Sequence, residues 1–304
     1  MRMRIRIVWM GMGIFFWVLA GIWKFAVVPP LTLRIPNDWH WSADLIGVST
    51  LPDEQLGRFP DKDALGRYQR IIQVEPGSGR PHEVILVDRF IISNLRTGQT
   101  DWEYVYRAPV NPATGEHLTP EYHSQYFVFP RNVQKKTYVI RFSYLNGIPL
   151  TYRGESEIEG IRVYHFYYKG RGEYTASYQG TEKYPGISVE PGQEIRCADD
   201  QFVFETWVEP VTGEMVKIQE SCYSGDYLFD TATGKAIRPV YRWAGITTSD
   251  DIIQRVEWIR AERSRILLVS LYLPLTIGFA GLISLILGPL NLKAIRARVY
   301  LKEI

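Results

Sequence analysis

Tyr138-Val139-Ile140-Arg141-Phe142-Ser143-Tyr144 decides the fold. Its large apolar residues recur at every second position, so 138, 140, 142 and 144 share one face of an extended chain. Working outward, Ile161-Arg162-Val163-Tyr164-His165-Phe166-Tyr167-Tyr168 reads as a second strand, apolar on both faces. Phe202 to Val208 and Met215 to Gln219 read as a hairpin around Glu209-Pro-Val-Thr-Gly213. Val84 to Val87 and Phe90 to Ile92 read as further strands, and Asn146-Gly147 and Glu159-Gly160 as tight turns. Helical periodicity is scarce between 60 and 245, and no repeat or low-complexity linker divides the stretch. The expectation is a mainly β fold, with one antiparallel domain at 31–248 forming a curved sheet or barrel. Charged stretches such as Arg153-Gly-Glu-Ser-Glu157 argue against a membrane barrel, which needs an apolar face on every strand.

Both ends of the chain are apolar. Residues 8–28 contain one charge, Lys24, and span roughly 31 Å as a helix, the thickness of a hydrocarbon core. Trp9 and Trp23 suit its two interfaces, Lys24 can reach the outer one, and Pro29-Pro30 is expected to end it. Val18-Leu19-Ala20 leaves a cleaved signal peptide as the other reading of this segment. Residues 266–290 carry no charge, and Pro274 should kink them, with Thr276 or neighbouring backbone taking up the freed groups. Ala280, Ser284 and Gly288 recur every fourth position, a small-residue stripe that suits close helix packing. The partner would be the first helix or a second subunit. Residues 249–265 form a stalk helix with Ser249 as its N-cap and Ile252, Val256 and Ile259 along one side.

The tails at 1–7 and 291–304 are basic, with three arginines in one and four cations against Glu303 in the other. Both tails are therefore expected in the cytoplasm and the β domain outside it. The end segments hold eight of the 35 basic residues and one of the 33 acidic ones, so the rest is net acidic and unsuited to nucleic acid. Cys197 and Cys222 flank the 202–219 hairpin, and an oxidising compartment would let them pair. Unpaired core cysteines are the other reading.

Catalytic and metal motifs are lacking. His40, His82, His117, His123 and His165 form no His-Glu-x-x-His, and no Gly-x-Ser-x-Gly elbow or phosphate loop occurs. No enzyme, cofactor or metal is expected. Phe142, Tyr144, Tyr164, Phe166 and Tyr168 belong to a dense aromatic run that reads either as β core or as an apolar cavity for a lipid.

Six motifs in order carry a resemblance. They are Phe127-Val-Phe-Pro130 with Lys135-Lys-Thr-Tyr138, Tyr152-Arg-Gly154, Glu157-Ile-Glu-Gly160, Tyr164-His-Phe166 and Glu205-Thr-Trp-Val-Glu-Pro-Val-Thr-Gly213. Together they resemble the porin PorA family, a bacterial membrane-anchored domain, over nearly the whole chain. Where that family shows an aromatic-Asp pair, this chain has Arg141-Phe142-Ser143. The resemblance implies a bacterial plasma membrane and, by the family's name, a channel built by oligomerisation. The topology is also similar to that of scavenger receptors with two terminal helices and a lipid-tunnel ectodomain. The resulting expectation is a non-enzymatic cell-envelope protein that binds a hydrophobic ligand or a partner protein, with a structural subunit or an oligomeric channel as alternatives.

Overall fold

Alternating apolar and polar residues build eleven strands among the described residues of the computed structural model. It describes residues 2–300 except 33, 54, 77–81, 143, 173 and 175–188, and excludes the side chains of 2–7, 30, 101–102 and 288–300. The strands are β1 His40–Thr50, β2 Leu65–Val74, β3 Val84–Asn94, β4 Thr100–Val110, β5 Tyr138–Ile140 and β6 Ile148–Ile158. They continue with β7 Ile161–Gly170, β8 Gln193–Cys197, β9 Phe202–Val208, β10 Met215–Asp230 and β11 Ala236–Thr247. One antiparallel sheet runs β4-β3-β2-β1-β11-β10-β9-β7-β6-β5, with β8 added to the far half of β10. Of the two expected architectures the open curled sheet is the one found: β4 and β5 end the strand order without pairing. Among the described residues, single bridges Val110–His117, Glu116–Tyr126 and Tyr126–Ile140 join these edges at one corner. Pro109, Pro112, Pro120 and Pro130 lie in this connection and cannot donate to a continuous ladder.

The curl turns one face inward over a single apolar core. Tyr138, Ile140, Phe142 and Tyr144 are all buried there, as their alternation predicts. The ladder itself stops at Ile140, because the Arg141 N–H donates to the Tyr126 carbonyl instead of to β6. Val84–Val87 and Phe90–Ile92 are one strand, not two; the polar pair Asp88-Arg89 that seemed to separate them sits within β3.

Helix α3, Ser249–Leu267, explains why 161–168 is apolar on both faces. Tyr164 and Phe166 point into the core, while Ile161 and Val163 join Val216, Val256 and Ile259 in a second buried cluster on the outer side. Each such side chain contributes about 1.5–3 kcal/mol when fully buried. The β unit therefore extends from Ile35 to Arg260, beyond the expected boundary at 248. The expected cap moves by one residue: the Thr248 hydroxyl, not Ser249, accepts the Asp251 N–H.

Residues 1–34 and 261–304 form a second, helical unit. It contains α1 Arg2–Ile22, α2 Val28–Thr32 and α4 Leu273–Tyr300. The prolines at 29 and 30 do not end the first helix; wide π-helical turns at Trp23–Val27 lead into α2, which relieves the clash of a proline ring with the preceding turn. A matching π segment, Leu268–Tyr272, precedes Pro274. Pro274 has no N–H, and the Leu273 N–H bonds to the Leu268 carbonyl. The carbonyls of Val269 and Ser270 are thereby freed, and Trp23 Nε1 and Lys24 Nζ donate to them at 3.0 and 2.9 Å. Lys24 is thus bonded to the second helix. Thr276, the residue expected to help, bonds its own helix at Tyr272.

The helices α1 and α4 meet at two glycines. A Cβ on Gly13 would fall 2.4 Å from Leu285 Cγ, and one on Gly281 would fall 3.1 Å from the Gly13 carbonyl. In the expected stripe, Ser284 is buried, Ala280 is half-buried and the surroundings of Gly288 lie outside the described residues. Gly281, one residue away from Ala280, is the contact. Gly281→Leu should destabilise the pair by about 1–3 kcal/mol of overpacking, whereas Ala280→Leu should be tolerated. Thermal midpoints of the two variants in detergent measure this, and equal losses would reject the assignment. The outer surface of the unit stays apolar, with Phe15, Phe25, Leu275 and Phe279 exposed. Two helical segments are long and apolar enough to cross a membrane.

Candidate functional site

The inner face of the curled sheet brings the predicted aromatic residues together. Phe142 lies 5.9 Å from Tyr144 and 5.1 Å from Phe204, ring centre to ring centre, and Tyr144 stacks on Phe90 at 5.6 Å. Phe166 packs on Phe129 and Tyr138 at 5.0 and 5.7 Å, and Tyr152 spans Phe166 and Tyr164. Tyr168 is half-buried beside Phe202. These separations are those of rings in van der Waals contact, each pair contributing about 0.5–1.5 kcal/mol beyond its buried area.

Sequence reasoning missed what lies among the rings. Arg70 on β2 and Asp88 on β3 are inward positions, and both are buried in a face otherwise apolar. Arg70 Nε and Nη2 donate to the two Asp88 oxygens at 3.0 and 2.7 Å, the bidentate geometry that best offsets desolvation. The guanidinium also lies 4.2 Å from the Phe142 ring centre and 5.6 Å from that of Tyr144. Across the core, the Tyr144 hydroxyl donates to buried Glu220 of β10 at 2.5 Å. Burial alone would lower the Arg70 pKa, but the charge and hydrogen bonds of Asp88 hold it above the ordinary value. Burial pushes the Glu220 carboxyl up, against the pull of Tyr144 and Arg70. Burial, then the Glu220 charge, pushes the Tyr144 phenol well up. The quartet can hold one internal charge pair and share a proton between Tyr144 and Glu220. The one available signal was Asp88-Arg89, a charged interruption between two apolar runs.

Cys197 and Cys222 form a disulfide, with Cα atoms 5.9 Å apart. It stands where β10 changes partner: β9 pairs residues 215–221 and β8 pairs residues 226–230. At this bend Gly225 adopts a φ of +88°, and a Cβ there would strike the Phe59 ring. Asp226 lies beneath, buried, accepting from the Tyr174 hydroxyl at 2.7 Å and Trp243 Nε1 at 2.8 Å. Asp226 and the two sulfurs are close enough to suggest a metal site, but both sulfurs are spent in the bond to each other.

A second polar cluster sits at the corner joining β4 to β5. His117 is buried against Tyr122 and Phe127, and its Nε2 lies 3.2 Å from the Arg141 carbonyl. Burial, helped by the Arg141 charge, lowers its pKa from 6.5 to about 4. Between those values the unfolded chain binds a proton that the folded chain refuses, so stability falls as pH drops from about 6.5 and levels off below about 4. The loss is up to about 3 kcal/mol. Urea midpoints taken at stepped pH should show this slope in the native chain and a flatter one in His117→Gln; equal slopes would assign the effect elsewhere. Among the other histidines, His165 stacks on Trp207 at 4.7 Å and bonds Glu205 on the outer face.

Two hollows lie beside the start of α3, one of about 180 Å³ against β1 and Glu214 and one of about 510 Å³ against β1 and β2. They share Ser42, Asp251 and Gln254, and Trp258 stands half out of the smaller one. In comparisons with known proteins, a family model described as Porin PorA matches residues 107–290, more than half of the chain. No curated protein matches the chain.

Proposed function

Because the chain belongs to the porin PorA family, we propose that it is a non-enzymatic, membrane-anchored protein of the bacterial cell envelope that acts through the outer surface of its β unit on a partner protein. In this reading both tails are cytoplasmic and the β unit lies outside, where a Cys197–Cys222 disulfide persists. The carrying observation is the filled inner face. Phe142 stacks on Tyr144, and Tyr164 and Phe166 both pack on Tyr152. Phe142, Tyr144, Tyr164 and Phe166 are all buried, and Arg70 of the Arg70–Asp88 pair lies over Phe142. Among the described residues, side chains thus occupy the face that could hold a lipid or a water-filled path. The groove beside α3, with Trp258 and Asp250 at its margin, is a concave surface open to a partner.

A soluble fragment of residues 31–260 tests this, since it keeps the part of α3 that covers Ile161, Val163 and Val216. Solvent extraction and mass spectrometry should recover no stoichiometric lipid. One lipid per chain would replace the partner reading with lipid binding. The full chain should also leave a planar bilayer silent, and reproducible conductance would favour the oligomeric channel.

A further inference from the structure

We propose that Asn146-Gly147 is a self-modification site, at which the Asn146 side-chain amide is exchanged for a carboxylate that Arg141 holds. Arg141 is 8% exposed, and its guanidinium lies 3.6 Å from the Tyr122 ring centre. Its Nη1 donates to Asn146 Oδ1 at 2.7 Å, while its Nε is buried with no hydrogen-bond partner. Among the described residues no carboxylate forms a salt bridge with it. A buried guanidinium is stabilised chiefly by an anionic counter-charge, so this one faces a neutral amide where a carboxylate would serve better. Asn146 is itself half-buried and open to water.

The neighbouring residue supplies the reaction. Gly147 lies just outside the β5–β6 ladder, whose last pair is Ile140–Ile148, so its amide nitrogen is not held there. It has no Cβ to shield that nitrogen, and a Cβ would fall 2.6 Å from Gln125 Oε1. The Gly147 nitrogen attacks Asn146 Cγ. The new N–C bond closes a five-membered imide, the bond from Cγ to the side-chain nitrogen breaks, and ammonia leaves with the amide proton. Water then opens the imide at either carbonyl and restores a chain bearing a carboxylate. While Cγ is tetrahedral, negative charge gathers on Oδ1, the atom to which Arg141 already donates. A charged donor preplaced on that oxygen lowers the barrier, and the same donor then pairs with the product.

The test is incubation of the folded full chain in detergent and mildly alkaline buffer, followed by mass spectrometry of the peptide carrying Asn146-Gly147. The wild type should gain the mass that marks exchange of NH2 for OH. Arg141→Gln should slow this at least about tenfold, short of the hundredfold or more that one such donor gives in a preorganised active site. In urea the two chains should convert at the same rate. A folded wild type that stays intact after its denatured form has converted overturns the proposal, and so does a folded Arg141→Gln that converts as fast. Should Arg141→Gln not fold, Asn146→Asp in the otherwise native chain decides: its thermal midpoint should rise, and an unchanged or lower midpoint overturns the proposal.

Discussion

Asp88→Ala should destabilise the β unit by about 3–5 kcal/mol, because it strands the Arg70 guanidinium without its counter-charge. Only 4% of the Arg70 side chain reaches solvent, and the ring of Phe142 cannot replace a bidentate carboxylate. Whole domains are stable by only about 5–15 kcal/mol, so this one change approaches the limit for folding. The complementary prediction separates the cost of an orphan from the worth of the pair. Arg70→Met with Asp88→Leu removes both charges at similar volume and should recover most of the loss. Denaturant unfolding of the 31–260 fragment measures all three proteins. A loss below about 1 kcal/mol for Asp88→Ala would mean that the guanidinium finds another partner and that the quartet does not organise the core.

Removing the disulfide comes next in size. Cys197 and Cys222 close a loop of 25 residues, which in the chain-entropy account stabilises by about 3.5 kcal/mol. The double change Cys197→Ala with Cys222→Ala should cost about that much and should first loosen β8, whose ladder among the described residues is to β10. Hydrogen exchange resolves the second point. Early loss of protection at 193–197, before the β9–β10 hairpin, is the expected order. Uniform loss across the sheet would show that the bond acts only through the unfolded chain.

What the sequence revealed and what it hid follow one physical rule. Alternation reports a face, so the inward set Tyr138, Ile140, Phe142 and Tyr144 was legible even though the ladder ends at Ile140. Alternation is blind to a buried ion pair, because Arg70 and Asp88 occupy inward positions while reading as outward ones. That is why Asp88-Arg89 reads as a break within β3, and why the centre of the candidate site is invisible to the pattern. Two-sided apolarity at 161–168 announced burial on both faces, but only the α3 stripe of Ile252, Val256 and Ile259 says what covers the outer one. Between the terminal helices the small-residue stripe pointed to the right region. A repeat of four could not choose between Ala280 and Gly281, since the crossing is set by Gly13 on a helix far away in the chain. Arg141 and His117 have no sequence pattern at all; their closeness comes from the bridges that tie residues 110–140 together.

The bonds from Trp23 and Lys24 to the carbonyls freed by Pro274 carry a consequence for how the chain is made. Hydrocarbon offers no water to satisfy a loose carbonyl. Donor and acceptor stand 246 residues apart with the β unit between them, so the first helix cannot be fastened until the second has been made. A chain cut short before Val269 lacks those acceptors and leaves Gly13 without Gly281 and Leu285. The paired helices thus form a clasp that can close only after the whole β unit between them has been made.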